Sequence, residues 1–238
     1  MKKHFWIIII VAAALVIIIG GFYLWRYYKN RQKVNNGPST NQSSDSQTTP
    51  TSATSQTAPV PTIIYPIDNY SARLSKNSFG SYYFSQNSQK FDSTVCPGAS
   101  EYTGYHTGDD LETIPAEQNI PIAVTSIATG TVRQVGRVSG YGGLAVIEYT
   151  LGDETYTAYF GHINLATTTL KVGSTVSIGE KIAELAPACS SANSNVRKHL
   201  HFSLHKGTGV DVEGYVNSKS ALSAWIDPKA LLSTLGAK

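Results

Sequence analysis

Hydrophobic and polar positions follow three different patterns along the 238-residue chain. Phe5 to Trp25 is a run of 21 residues without a charge. About 20 apolar residues span a bilayer as one helix, so the run predicts a membrane-crossing helix. Phe5, Trp6, Tyr23 and Trp25 stand where interfacial aromatic residues belong. The alternative is a cleaved signal peptide that begins with Lys2 and Lys3. The run is long for that, and no small-x-small cleavage site follows it. Next comes a polar stretch, Asn35 to Pro61, in which Ser, Thr, Gln, Asn and Pro dominate and Asp45 is the one charge. Such a segment cannot bury enough apolar surface to offset its ordering entropy. It reads as a tether averaging roughly 30 Å from end to end. From Thr62 onward, short apolar runs at 122–126, 130–135, 144–150, 155–160, 181–185 and 199–205 lie between Gly, Asn and Pro signals. Many alternate with a period near two, as half-buried strands do. One helix is expected near the end, capped by Asp227, with Pro228 in its first turn and Gly236 at its stop.

The pattern divides the chain into an uncleaved anchor at 1–33, a flexible linker at 34–62 and a folded domain at 63–238. The expected class is all-β, mainly antiparallel sheet with few short helices, preceded by one transmembrane helix.

Charge changes meaning once it is split by position. The net is +3, but residues 1–33 hold six basic residues and no acidic one. That leaves 13 basic against 16 acidic residues in 34–238, a net of −3. The basic excess belongs to the anchor. A nucleic-acid binder needs a basic patch on its folded part, so no nucleic-acid partner is expected. Two lysines precede the apolar run and four basic residues follow it. Taken alone, the positive-inside rule favours a cytoplasmic C-terminus.

Five of the six histidines follow the linker, and His4 belongs to the charged flank. His199 and His201 are two apart in a predicted strand, so both face one side while Leu200 and Phe202 face the other. His106 and Asp110 are four apart, with Gly108 between them to permit a bend. His162 follows the apolar strand at 155–160. Imidazole, carboxylate and a second imidazole form a three-ligand zinc set that leaves a fourth position open. Each fragment alone has a plain structural alternative: a capped turn, a surface histidine or a strand face.

Together, their order and spacing resemble the lysostaphin-like (LytM-type) zinc metallo-endopeptidases, which cut peptide cross-links in bacterial cell walls. The family pattern is a His-x-x-x-Asp, a later Tyr-x-His and a final His-x-His. His106 with Asp110, then His162, then His199 with His201 match it in turn. Ser78-Phe79-Gly80, Ala128 to Val132, Val172 to Val176 with Gly179, and Ile226-Asp227-Pro228 also look like family segments. The resemblance runs from about Tyr65 to Leu232. It implies one zinc ion, held by His106, Asp110 and His201. It implies that His162 and His199 are catalytic, facing water and the scissile carbonyl. The implied partner is a peptidoglycan peptide, and the implied location is a single-pass membrane protein with its domain outside the cytoplasm. A non-catalytic relative, binding wall or activating another hydrolase, is the alternative. Such relatives typically lack one of these residues, and none is missing here.

Two departures from the family pattern stand out. Arg197 and Lys198 precede His-x-His where Gly or Pro is usual. They are read either as cations that attract a peptide carboxylate or as solvated loop charges. Asp109 adjoins Asp110 as a rival ligand, but the four-residue spacing favours Asp110. His205 is expected to lie too far from the metal. Cys96 and Cys189 each stand ten residues before a site histidine, His106 and His199. A disulfide between them is expected, with free buried thiols and metal binding as the alternatives. Disulfides persist outside the cytoplasm. Together with a wall substrate, that outweighs the charge count around the anchor. Of Tyr82, Tyr83, Tyr102 and Tyr105, only Tyr105 is expected beside the site.

Overall fold

Residues 63–83, 95–99 and 102–238 are described by a computed structural model. The anchor and the linker lie outside the described residues. No helix among the described residues is long and apolar enough to cross a membrane.

The domain begins with helix α1 (Tyr70–Arg73) and strands β1 (Tyr82–Tyr83), β2 (Gly104–His106), β3 (Gly108–Glu112) and β4 (Ala123–Thr125). The long strands follow as β5 (Gly130–Val138), β6 (Gly142–Leu151) and β7 (Glu154–Gly161), then the short β8 (Ile163–Asn164) and β9 (Thr175–Val176). The chain closes with β10 (Lys181–Leu185), β11 (His199–Lys206), β12 (Tyr215–Val216), helix α2 (Lys219–Leu222), β13 (Trp225–Ile226) and helix α3 (Pro228–Thr234). Every strand pair among the described residues is antiparallel. The main sheet runs β13-β11-β7-β6-β5-β9, and β3 pairs with β11. Two three-stranded sheets, β1-β2-β12 and β4-β10-β8, flank it. The six strands expected from alternation are all present, and β10 has the expected limits.

Alternation in the long strands supplies both a core and a site. Ala145, Ile147, Ala158, Phe160, Leu200, Phe202 and Leu204 point to one side and join the larger hydrophobic cluster. Leu144, Val146 and Tyr159 point to the other side and join a smaller cluster with Tyr141 and Trp225. Register carries this second face across the sheet, because His201 pairs with Gly161 and Ser203 with Tyr159. The larger cluster anchors the sheet. The smaller one forms the floor next to the histidines.

The C-terminal helix follows its sequence signals. The Asp227 side chain accepts from the Ala230 amide at 3.0 Å. The Gly236 and Ala237 amides reach back to the Ser233 and Leu232 carbonyls at 3.1 and 2.9 Å. Gly236 has φ 75°, so the helix stops in a left-handed residue with its last carbonyls satisfied.

Candidate metal centre

Strand register brings the first histidine, the aspartate and the last histidine together. Asp110 on β3 lies directly opposite His201 on β11. His106 sits one turn of chain earlier, on β2, opposite Tyr215 of β12. His106 Nε2 is 2.9 Å from His201 Nδ1. Asp110 Oδ1 is 3.4 Å from the first nitrogen and 3.2 Å from the second. All three side chains are buried. Among the described residues, this is the one set of His, Cys, Asp or Glu arranged to hold a metal ion.

The donor set fits zinc. Two imidazole nitrogens and a carboxylate oxygen turned toward one point can each offer a lone pair to a cation held among them. Ligand atoms at zinc–ligand distances of 2.0–2.2 Å in a tetrahedron stand about 3.3 Å apart. The two contacts of Asp110 Oδ1, at 3.4 and 3.2 Å, match that spacing, and the nitrogen pair at 2.9 Å is tighter. Burial by itself raises the Asp110 pKa, but its neighbours, the Arg197 guanidinium among them, overcome it and hold the carboxyl well below its usual value.

Gly108 does not serve as a bend. It lies within β3, where a Cβ would run into the Phe202 carbonyl and the Ser203 side chain of β11. Only hydrogen fits at this crossing, and the close approach sets Asp110 against His201. Asp109 points to the opposite face. Its carboxylate accepts from the Tyr70 hydroxyl at 2.7 Å and the Phe79 amide at 2.9 Å, so it is a structural group. His205 packs on Trp225 with ring centres 4.9 Å apart and takes no part in the cluster.

His162 and His199 stand beside the three donors with ring centres 4.4 Å from each other. His199 Nε2 is 3.6 Å from Asp110 Oδ1. The Nδ1 of His199 lies 2.9 Å from the Arg197 carbonyl oxygen, and that of His162 lies 3.2 Å from the Asn193 carbonyl oxygen. A carbonyl only accepts, so each Nδ1 carries the proton and each Nε2 is left unprotonated in the neutral ring. Burial is the main cause that keeps both rings neutral. It lowers the His199 pKa to about 3, with the Arg197 charge assisting, and takes His162 well below its usual value. His162 has φ 63°, a left-handed conformation uncommon outside Gly and Asn. This turn lifts its ring from the end of β7 toward the cleft.

The cleft encloses about 230 Å³ and is lined by all five expected site residues. It also holds three tyrosines: Tyr102, Tyr141 and Tyr215. Tyr102 stacks on Tyr215 with ring centres 5.6 Å apart and planes within 5°. The Tyr141 ring lies 5.2 Å from His201 and 5.9 Å from His162. Tyr105 does not lie at the site. It is one residue from His106 on β2, so it faces the other side and packs on Tyr82 at 4.7 Å.

Arg197 and Lys198 are not solvated loop charges, although Arg197 also lines the cleft. Both are buried. Arg197 pairs with Asp110 and Glu112 at 2.8 and 2.7 Å. Lys198 Nζ donates to the carbonyls of Glu117, Gln118 and Ile120 at 2.7–3.3 Å. Asn77, Glu112, Asn193, Tyr141 and Tyr215 carry no signal in the sequence. Their partners lie far along the chain, and no local spacing signals them.

Cys96 and Cys189 form the expected disulfide, with Cα atoms 5.0 Å apart. It ties the segment at 95–99 to the loop that carries Asn193 and Arg197.

A buried two-histidine, one-carboxylate cluster with two further histidines on an antiparallel sheet defines a candidate mononuclear metal centre. Residues 104–213 match the family model described as Peptidase family M23. Similar solved structures include LytU, at 22% identity and a TM-score of 0.43, covering 68% of this chain and 85% of that one. Lysostaphin in solution is similar at 23% identity and a TM-score of 0.39, covering 59% and 50%. A zinc-containing peptidase from Vibrio cholerae is similar at 23% identity and a TM-score of 0.39, covering 60% and 36%. No curated protein matches the sequence.

Proposed function

We propose that the chain is a membrane-tethered zinc metallo-endopeptidase that hydrolyses peptide cross-links of bacterial cell-wall peptidoglycan. The observation that carries this reading is the convergence of His106 Nε2, His201 Nδ1 and Asp110 Oδ1, with His162 and His199 beside them. His106, Asp110 and His201 would hold the zinc. When bound, zinc polarises a carbonyl and lowers the pKa of water.

The chain's own residues supply the remaining parts. His162 and His199 each present an unprotonated Nε2 to the cleft. Either can take a proton from an attacking water and deliver it to the leaving amine. Once protonated, the same nitrogen can donate a hydrogen bond to the developing oxyanion. The stacked Tyr102 and Tyr215 rings offer an amphipathic wall along which an extended peptide can lie. A non-catalytic wall-binding relative is the weaker reading, because all five family positions are filled.

The apolar run at 5–25 supports the tether. The disulfide supports an extracytoplasmic domain, where such bonds persist. In intact cells, external protease is expected to remove the domain. Protection would contradict the outward orientation. The function itself is tested by incubating the chain with purified peptidoglycans of different cross-link type. New amine ends found by mass spectrometry are the expected result, and they identify the bond. No new end on any wall preparation would refute the reading.

A further inference from the structure

The two oxygens of Asp110 keep different company. Oδ1 faces His106 and His201. Oδ2 accepts from Asn77 Nδ2 at 2.5 Å and from Arg197 at 2.8 Å. Asn77 is braced in turn, since its amide also donates to the Tyr215 hydroxyl at 2.9 Å. Arg197 is gripped from behind by Glu112. Its Nε lies 2.9 and 3.0 Å from the two carboxylate oxygens, and its terminal nitrogen lies 2.7 Å from one of them. Asp110 and Glu112 are two apart on β3 and share a face, opposite His201 and His199. One buried guanidinium therefore stands between two carboxylates.

We propose that Arg197, locked by Glu112, is a positioning residue that keeps Asp110 a one-oxygen metal ligand and keeps Glu112 off the metal. This rests on the zinc reading of the site. A carboxylate beside a dication can close on it with both oxygens, and a second carboxylate on the same face is drawn to it as well. Either event fills the coordination position that a catalytic zinc site leaves open. Hydrogen bonds from Arg197 and Asn77 engage Oδ2 and leave Oδ1 alone toward the metal. The Arg197–Glu112 pair is neutral as a unit, so the metal still sees the charge of one aspartate. The planar guanidinium makes a two-point contact with Glu112 and still reaches Asp110, a geometry an ammonium does not match. A family position usually given to Gly or Pro is used here to support the ligand shell.

The test uses the full chain in detergent, stripped of metal. Zinc affinity is read by competition with a chelator, and the shell is read from the visible spectrum of the cobalt-substituted protein. Arg197→Met removes the charge, and Arg197→Lys keeps charge without the fork. Arg197→Met combined with Glu112→Met removes both charges, which guards against misfolding around an unpaired carboxylate. Loss of an outer-shell partner typically shifts metal affinity about 10–100-fold, and a shift of that order is expected for Arg197→Met. Arg197→Lys is expected to fall between it and the wild type. The cobalt bands of Arg197→Met and of the double variant are expected to weaken, as they do when coordination number rises. Variants that bind zinc as tightly as the wild type, with unchanged cobalt spectra, overturn the positioning role even if they melt earlier. A wild-type chain that holds no zinc overturns the zinc reading, and this proposal with it.

Discussion

His162 Nδ1 lies 3.2 Å from the carbonyl oxygen of Asn193, and this contact aims the opposite ring nitrogen into the cleft. Asn193 is buried, and its side chain pins its own loop through the Val196 amide and carbonyl at 3.2 and 2.7 Å. The His162 ring is thus oriented by a loop 31 residues away in sequence, without touching a metal ligand through hydrogen bonds.

His162→Ala is therefore expected to keep zinc and lose activity. A general acid–base group contributes typically 10²–10⁴-fold, and a fall of about that size in cleavage rate is expected. His201→Ala is expected to lose both. Metal content and turnover, measured on the same samples, separate the two. A zinc-replete His162→Ala chain that cuts at the wild-type rate would show the assignment to be wrong.

Asp109 and Asp110 are neighbours with opposite duties. Asp110→Asn is expected to weaken zinc binding strongly. Asp109→Asn is expected to keep zinc while lowering stability, because the Tyr70 and Phe79 contacts it anchors are weakened. Hydrogen bonds of this kind contribute roughly 0.5–3 kcal/mol each. Zinc titration and urea unfolding of both variants check this. Equal zinc loss in the two would contradict the strand register.

The disulfide closes a separation of 93 residues. In the chain-entropy model a loop of that size is worth about 4–5 kcal/mol. Replacing both cysteines with serine is expected to lower the unfolding free energy by up to about that amount. Turnover is expected to fall as well, since the loop that aims His162 is released. Denaturant titration and cleavage rate test the two effects. Unchanged stability and rate would show that the bond constrains neither.

Lys198 Nζ donates to three backbone carbonyls, which uses all three of its donors. Lys198→Met is expected to cost about 1.5–3 kcal/mol of stability, the scale of a charged hydrogen bond. KM for a carboxylate-bearing peptide is expected to stay unchanged. A raised KM with normal stability would restore the cation-attraction reading.

Much of this architecture is legible in the sequence because its signals are local. Period-two alternation marks β6, β7 and β11, and it alone sends Leu200 and Phe202 into the larger core while His199 and His201 face the cleft. The Asp227 cap and Gly236 stop are equally local. The five site residues are legible through their order and spacing. The supporting residues are not. Asn77 meets Tyr215 across 138 residues, and Arg197 meets Glu112 across 85. Only the paired strands bring them together. Arg197 and Lys198 look like loop cations in the sequence because charge normally seeks water. Here Glu112 and a row of carbonyls make burial tolerable. Tyr105 lies away from the site for a simpler reason: it is adjacent to His106, and adjacent strand residues face opposite ways.

The most direct test titrates a chelator into the wild-type chain and follows zinc content and cleavage of purified peptidoglycan on the same samples. The account predicts that new amine ends disappear in proportion to the zinc removed, and return when zinc is restored. Cleavage that persists after the last zinc has gone would contradict it.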